Sequence, residues 1–444
     1  MDQGTWRGQC LLSPCLRSPQ QPDLNWENPA VREDCIDMIN WWLDRGLGGF
    51  RIDAIMNLKK RIEYGVFPAD GPDGLVYIGS WILNQPGIET WLKEIDDKTF
   101  RPHNALTVAE ADVPPSQLAK YIGPDGYFRM VFDFSYTDID VPATGEWFKQ
   151  HHWTVTELRE KIFSTEERTQ QVGWGARYLE NHDQPRSVNK YLPAEAEDRR
   201  SGTLLATLFM MLHGTPFIYQ GQEIGMSNIP LTSVDQYEDV ATHDQYRRAV
   251  ASGLSPAEAL HWMVQRSRDN SRTPMQWDDS ANAGFTTAGV TPWFPVNPNY
   301  TTVNVAAERA DAGSVLHYYR KLIALRRTKG PWREAVVHGT FVPVDTAAVS
   351  PDLIVFQRVR ARSVLVAINF SAEAHVLPLA ESAGAYTPIL ANVPEAVVSP
   401  SPQPPAVSAK DVGPASANAA ARLVLPPYAA VVLGKDRVSR ETNE

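Results

Sequence analysis

The clearest hydrophobic pattern runs from residue 28 to residue 46. Val31, Cys35, Ile36, Ile39, Trp42 and Leu43 recur every three or four positions, the spacing of one helical face. Asn28 suits an N-cap, Pro29 the first helical position, and Gly46 a helix stop. Gly49–Asp53 then reads as a short apolar strand. Helix, tight glycine turn and buried strand together form the αβ unit of a parallel α/β protein. The alternation repeats. Trp81–Asp97 predicts an amphipathic helix interrupted by Pro86, and Ala105–Glu110 an apolar strand ending in a carboxylate. Tyr127–Phe134 is a short apolar run, and Ala176–Asp183 a strand ending in polar groups. Ser201–His213 predicts a strongly apolar helix and Thr215–Gln220 a strand after it.

Residues 226–300 form a long insertion rich in polar residues, Pro and Asn. Ser314–Arg327 follows as an amphipathic helix, with Leu316, Tyr319, Leu322, Ile323 and Leu325 expected inward. Beyond about residue 336 the period changes to that of strands: Leu353–Val359, Ser363–Phe370 and Ala429–Leu433 are short β-rich runs. Between them Ser399–Ala417 is rich in Pro, Ser and Ala and reads as a loose loop. This segment is expected to be a small all-β domain.

Composition narrows the function. The 444 residues are 43% hydrophobic and 21% charged, ordinary for a globular chain, with a net charge of −10 that weighs against a nucleic-acid partner. No apolar run approaches the roughly 20 residues that span a bilayer, and no basic-then-apolar leader opens the chain. No membrane partner and a cytoplasmic location are the expectation. Cys10, Cys15 and Cys35 lack CxxC or zinc spacing, so neither a disulfide framework nor a metal is expected, and no cofactor is implied. Aromatics are plentiful, with 13 Trp and 15 Tyr; such rings suit sugars, although most serve cores.

The chemistry gathers at predicted strand ends. Arg51 and Asp53 lie two apart and so share a face of their strand. A structural Arg–Asp pair would explain these two alone, but Glu110 and Asp183 stand at the ends of two further strands. The C-terminal strand ends are where parallel α/β folds carry their sites, so the three carboxylates are expected on one rim. Two carboxylates flanking a bond are what a glycosidase requires, one as nucleophile and one as general acid. Asp53 beside the Arg51 cation is expected to stay ionised, and Glu110 after an apolar strand to be held protonated by desolvation. His182 could donate to a sugar hydroxyl.

These stretches resemble the α-amylase family of glycoside hydrolases, in its oligo-1,6-glucosidase and α-glucosidase branch. Gly49–Ile55 is similar to the nucleophile motif, Thr107-Val108-Ala109-Glu110-Ala111 to the acid/base motif, and Asn181-His182-Asp183-Gln184-Pro185-Arg186 to the third-carboxylate motif. Gln21-Pro22-Asp23-Leu24-Asn25, Gly214–Tyr219 and Arg272–Asp278 match the branch as well. The resemblance implies Asp53 as nucleophile, Glu110 as acid/base and Asp183 as transition-state stabiliser. It implies Arg51 as support for the nucleophile and His182 as a sugar contact. Arg268 would pin the terminal glucose, with Arg272 the competing choice. Ala54, where a Val nearby accompanies α-1,6 preference, leans toward α-1,4 or mixed linkage. The substrate implied is a short oligosaccharide, cleaved by an exo-acting, retaining α-glucosidase.

Some positions depart from the branch: Gly48, Ala109 and Gln222 replace its commoner residues. The larger departure is that the chain matches from the end of the lid domain onward. The expected fold is therefore a (β/α)8 TIM-barrel type present in part, about strands 4–8, plus a C-terminal all-β domain. The expected divisions are residues 1–25 as a lid remnant, 26–335 as partial barrel and 336–444 as a β-sandwich. The acidic partner of Arg268 is expected to lie in the part not matched. The alternatives to an active hydrolase are an inactive fragment or a non-catalytic relative acting as a binding or assembly subunit.

Overall fold

A computed structural model describes residues 12–13, 23–61, 79–142, 145–149, 151–196, 199–379, 385–400 and 421–435. Most of the expected lid remnant, Cys10, Cys15 and nearly all of the Ser399–Ala417 stretch lie outside the described residues. The chain divides into two compact units, residues 1–133 with 171–176, and residues 134–170 with 177–444.

In the first unit α1 spans Pro29–Leu43, and its N-cap Asn28 accepts from the Ala30 N–H at 3.0 Å. Val31, Ile36 and Leu43 are buried, as the helical period requires. Trp42 is not inward: it is 47% exposed and meets the Trp41 ring edge-on, because it sits at the outer margin of the buried stripe. Gly46, at φ +89°, ends the helix by donating to Leu43 O. The strands β1 (Gly49–Ile52), β2 (Leu106–Ala109), β3 (Met130–Phe132) and β4 (Trp174–Arg177) follow, with residues 174–176 of β4 in this unit. They pair in parallel and in sequence order, Gly49 opposite Leu106 and Ile52 opposite Ala109. Gly49 permits the closest approach, since a Cβ there would lie 1.7 Å from Leu106 O. The predicted Trp81–Asp97 helix is indeed interrupted around Pro86, where Asn84 and Gly87 both take positive φ. Past the break, α2 (Ile88–Ile95) buries Ile88, Trp91, Leu92 and Ile95, and π-type hydrogen bonding carries the coil on to Phe100. Ile88, Leu92 and Ile95 pack with Phe100, Tyr121, Phe128 and Val131 into one core.

The helices of the second unit include α3 (Val155–Val172, up to residue 170), α4 (Arg199–Met210), α5 (Val240–Ala251), α6 (Pro256–Arg266), α7 (Val315–Arg327) and α8 (Arg333–His338). From Ser201 to Met210 every residue of α4 is buried, which explains its continuous apolar run. The predicted Thr215–Gln220 strand contracts to β5 (Thr215–Pro216), where Pro216 lacks an N–H for the ladder. The 226–300 stretch is more ordered than its composition suggests. Asp239 caps α5, and Ser255 with Glu258 forms a reciprocal capping box on α6. On α7 the inward stripe is Val315, Tyr318, Tyr319 and Leu322, while Leu316, Ile323 and Leu325 are only half-buried. The N-cap Ser314 sets that phase, accepting from His317 N.

After α8 come β6 (Thr340–Pro343), β7 (Leu353–Val359), β8 (Ser363–Asn369), β9 (His375–Pro378), β10 (Tyr386–Ala391), β11 (Val397–Pro400), β12 (Ala421–Leu425) and β13 (Ala430–Lys435). They make a five-stranded sheet in the order β10-β13-β8-β7-β6 and a three-stranded sheet in the order β9-β12-β11, all antiparallel. β8 is buried on both faces. Val364, Val366 and Ile368 join α4 and α7 in one core, and Leu365 and Ala367 join Leu377, Leu423 and Leu425 in the other. Arg358 on β7 is fully buried and donates to Met211 O at 2.8 Å, Val337 O at 3.2 Å and Gly339 O at 2.8 Å. These bonds fasten the end of α4 and the end of α8 to the sheet. Among the described residues, no helix is long and apolar enough to cross a membrane.

Candidate active site

In the first unit three predicted residues meet where β1 and β2 end. Arg51 Nη1 lies 2.6 Å from Asp53 Oδ1, and its Nη2 lies 2.5 Å from Glu110 Oε1. One guanidinium thus holds both carboxylates, which is the geometry a planar fork of donors favours. The ladder continues into the site, with Glu110 N donating to Ile52 O and Ile55 N to Glu110 O. Between them Ala54 turns the chain at φ 41° and ψ 39°, a left-handed conformation that costs a residue with a Cβ roughly 1–3 kcal/mol. This turn aims the Ala54 N–H at Glu110 Oε2, 3.1 Å away. Ala54 therefore acts here through its backbone.

The two carboxylates differ in environment. The Asp53 side chain is 76% exposed, that of Glu110 13%. Burial, and next the hydrogen bond with Asp53, push Glu110 up to about 7, against the opposite pulls of the Ala54 N–H and the Arg51 charge. A carboxyl in that range is available both as acid and as base at neutral pH.

In the second unit β4 stops at Arg177, so Asn181, His182 and Asp183 lie on the turn beyond the strand that the sequence predicts them to end. The Asn181 side chain fixes the turn by accepting from Asp183 N at 2.8 Å. Asp183 Oδ1 meets Arg272 Nη2 at 2.7 Å and Arg268 Nη1 at 3.2 Å, and His182 Nε2 lies 3.5 Å from Oδ2. Both candidate arginines touch the same carboxylate. Arg272 also donates to His182 O at 2.8 Å. Arg268 finds an acidic partner within the chain, contrary to the expectation: its Nη2 is 2.6 Å from Oδ1 of Asp239. Burial would lift the Asp239 carboxyl, but the Arg268 hydrogen bond and charge hold it below its ordinary value. Beneath this cluster Glu180 and Arg186 form a buried pair at 3.1 Å, and Ser187 donates twice to Glu180. Asp239 went unread in the sequence, although an Asp just ahead of a helical run is a capping signal. Glu180 likewise reads as part of an apolar strand.

The alpha amylase catalytic-domain model matches residues 11–335. The parallel strands β1 to β4 lie within that stretch, and the antiparallel sheets follow it. The chain belongs to the α-amylase family. It is 39% identical over 336 residues to an oligo-1,6-glucosidase of Parageobacillus thermoglucosidasius, covering 73% of this chain and 57% of that protein. It is 35% identical over 360 residues to an oligo-1,6-glucosidase of Halalkalibacterium halodurans, covering 80% and 62%. Among solved structures it resembles trehalose-6-phosphate hydrolase of Bacillus licheniformis, with a TM-score of 0.77 and 28% identity over 95% of this chain and 71% of that one. It also resembles isomaltulose synthase of Klebsiella sp. LX3, with a TM-score of 0.79 and 29% identity over 94% and 70%. The chain thus spans less than two thirds of the length of both glucosidases.

Proposed function

We propose that this chain carries the reacting groups of a retaining, exo-acting α-glucosidase that releases terminal α-linked glucose, α-1,4 or α-1,6, from short oligosaccharides. Asp53 is the nucleophile. It attacks the anomeric carbon while Glu110 passes its proton to the glycosidic oxygen, giving a glycosyl-enzyme and a free leaving sugar. Glu110, now a carboxylate, takes a proton from water, which displaces Asp53 and restores both groups. Asp183 stabilises the cationic transition state, His182 and Arg268 hold the sugar, and Arg51 keeps the nucleophile ionised. We assign residues 26–335 to the catalytic domain and 336–444 to a C-terminal β-domain.

One observation carries the reading: Arg51 clamps two carboxylates that also hydrogen-bond each other, one exposed and one buried. Groups in such contact leave no room for the water-bearing gap of roughly 6.5–9.5 Å that inversion needs. The names of the relatives point the same way.

The test is glucose release from maltose and isomaltose by the purified 444-residue chain, beside Asp53→Asn. Turnover by the first and none by the second supports the assignment. No turnover by either favours the inactive or binding-subunit alternative. Equal turnover by both removes Asp53 from the chemistry.

A further inference from the structure

Asn84 stands in the turn ahead of α2, at φ 48°. A residue with a Cβ rarely takes that left-handed shape, and asparagine is among the few that take it readily. Glycine would serve the turn as well, so the turn alone does not call for an amide side chain. Three hydrogen bonds of Asn84 lead away from the turn. Its backbone N–H donates to Met56 O at 3.0 Å, its Nδ2 donates to Asp112 O at 2.8 Å, and its Oδ1 accepts from the Tyr121 hydroxyl at 2.9 Å.

The destinations of these bonds matter. Met56 lies three residues beyond Asp53, within the single 3₁₀ turn Ile55–Asn57. Asp112 lies two residues beyond Glu110. Asn84 thus ties together the two segments that leave the two carboxyl-bearing positions, all within the first unit. Tyr121 anchors the tie. It is buried in the core with Ile88, Leu92 and Phe128, and burial pushes its hydroxyl up to about 12, so it remains a donor at neutral pH. The Ala54 N–H already joins the two segments at Glu110 Oε2. One contact leaves two loops free to pivot about it, and a second fixes their separation.

We propose that Asn84 is a positioning residue of the site, holding the loops after Asp53 and Glu110 at the separation that keeps Glu110 shielded beside the nucleophile. It acts through Met56 and Asp112, and its Oδ1 is pinned by Tyr121. A residue that only started α2 would have no use for the side-chain bonds to Asp112 and Tyr121. On the glucosidase reading, on which this role rests, the two carboxyls must stay at a fixed distance and one of them must stay dry. The Glu110 side chain is 13% exposed, and burial is the largest cause of its raised value. Loosening the tie admits water, which favours the carboxylate.

The experiment follows the Glu110 carboxyl through a pH titration of the whole chain, by NMR of isotopically labelled glutamate carboxyls, for wild type, Asn84→Gly and Tyr121→Phe. Loss of the signal in Glu110→Gln assigns it. Glycine accepts the positive φ and phenylalanine keeps the buried ring, so both variants should fold, as circular dichroism would check. Neither variant changes a charge near Arg51 and Asp53, so a moved midpoint reports geometry and water. The expected midpoint falls in Asn84→Gly from about 7 toward the ordinary 4.5, by about one pH unit, with a smaller fall in Tyr121→Phe. An unchanged or raised midpoint in both variants overturns the role, as does a wild-type midpoint already near 4.5. Lys59→Met is the control: it frees the same segment from Glu27, so an equal fall there also overturns the role. The two proposals fail separately. An Asn84-dependent midpoint without glucose release keeps the link to Glu110 and removes the hydrolase. Glucose release with an Asn84-independent midpoint does the reverse.

Discussion

The backbone N–H of Ala54 donates to Glu110 Oε2 over 3.1 Å, from a left-handed residue directly after Asp53. The turn that ends one strand thereby orients the carboxyl that ends the next. Site geometry here depends on backbone shape as much as on side-chain identity.

Glu110 makes stability depend on pH in a defined direction. Burial raises it from an ordinary 4.5 to about 7, so between these values the folded chain keeps a proton that the unfolded chain has released. Stability is therefore lost as pH rises through that window. Urea unfolding at pH 4.5 and pH 7 should show Glu110→Gln gaining on wild type as pH rises. Arg51→Met, which removes a cation favouring the carboxylate, should extend the loss above pH 7. A Glu110→Gln difference that is constant with pH would contradict this.

Gly49→Ala should be severely destabilising, by about 3 kcal/mol or more, because the added Cβ would meet the Leu106 carbonyl oxygen that lies opposite it in the sheet. Ala at Gly48, where nothing lies within 4 Å, should change stability far less. Chemical denaturation of the pair separates a steric requirement from a general intolerance of the turn.

Arg268→Met should cost about 3 kcal/mol at pH 7, because it leaves the Asp239 carboxylate buried without its cation. The sign with pH follows from the lowered Asp239 value. The stabilisation is present above the ordinary 3.8 and disappears as pH falls below it, so the deficit should shrink toward acid pH. Adding Asp239→Asn should recover much of the loss, and urea midpoints for the four combinations give the coupling directly.

Arg358→Lys should lower stability by roughly 3 kcal/mol although the charge is kept. The guanidinium serves three carbonyls at once, and an ammonium on a flexible stem cannot reproduce that fork. Thermal melts of Arg358→Lys and Arg358→Met should coincide within about 1 kcal/mol.

What was legible in the sequence shares a cause. α1 is announced by Asn28, Pro29 and a 3.6-residue period, all local signals. Arg51, Asp53 and Glu110 are legible because each falls at or next to a strand end, where a charge conflicts with burial. Trp42 misleads because periodicity locates a stripe but not its edges. The β5 run misleads because its apolarity persists past Pro216, where the strand itself ends. Asp239 was out of reach for a different reason. Its value lies in Arg268, which is distant in the chain, and no local pattern records such a meeting.

The two-sided burial of β8 bears on how this protein could be recombined. A strand that sends Val364 and Val366 to one core and Leu365 to the other is a party wall, not an outer one. Cutting the chain near residue 336 to trade its terminal segment for that of a relative would leave Leu205 and Phe209 of α4 facing a foreign surface. Productive chimeras should therefore carry α4, α7 and the sheets together as one inherited block.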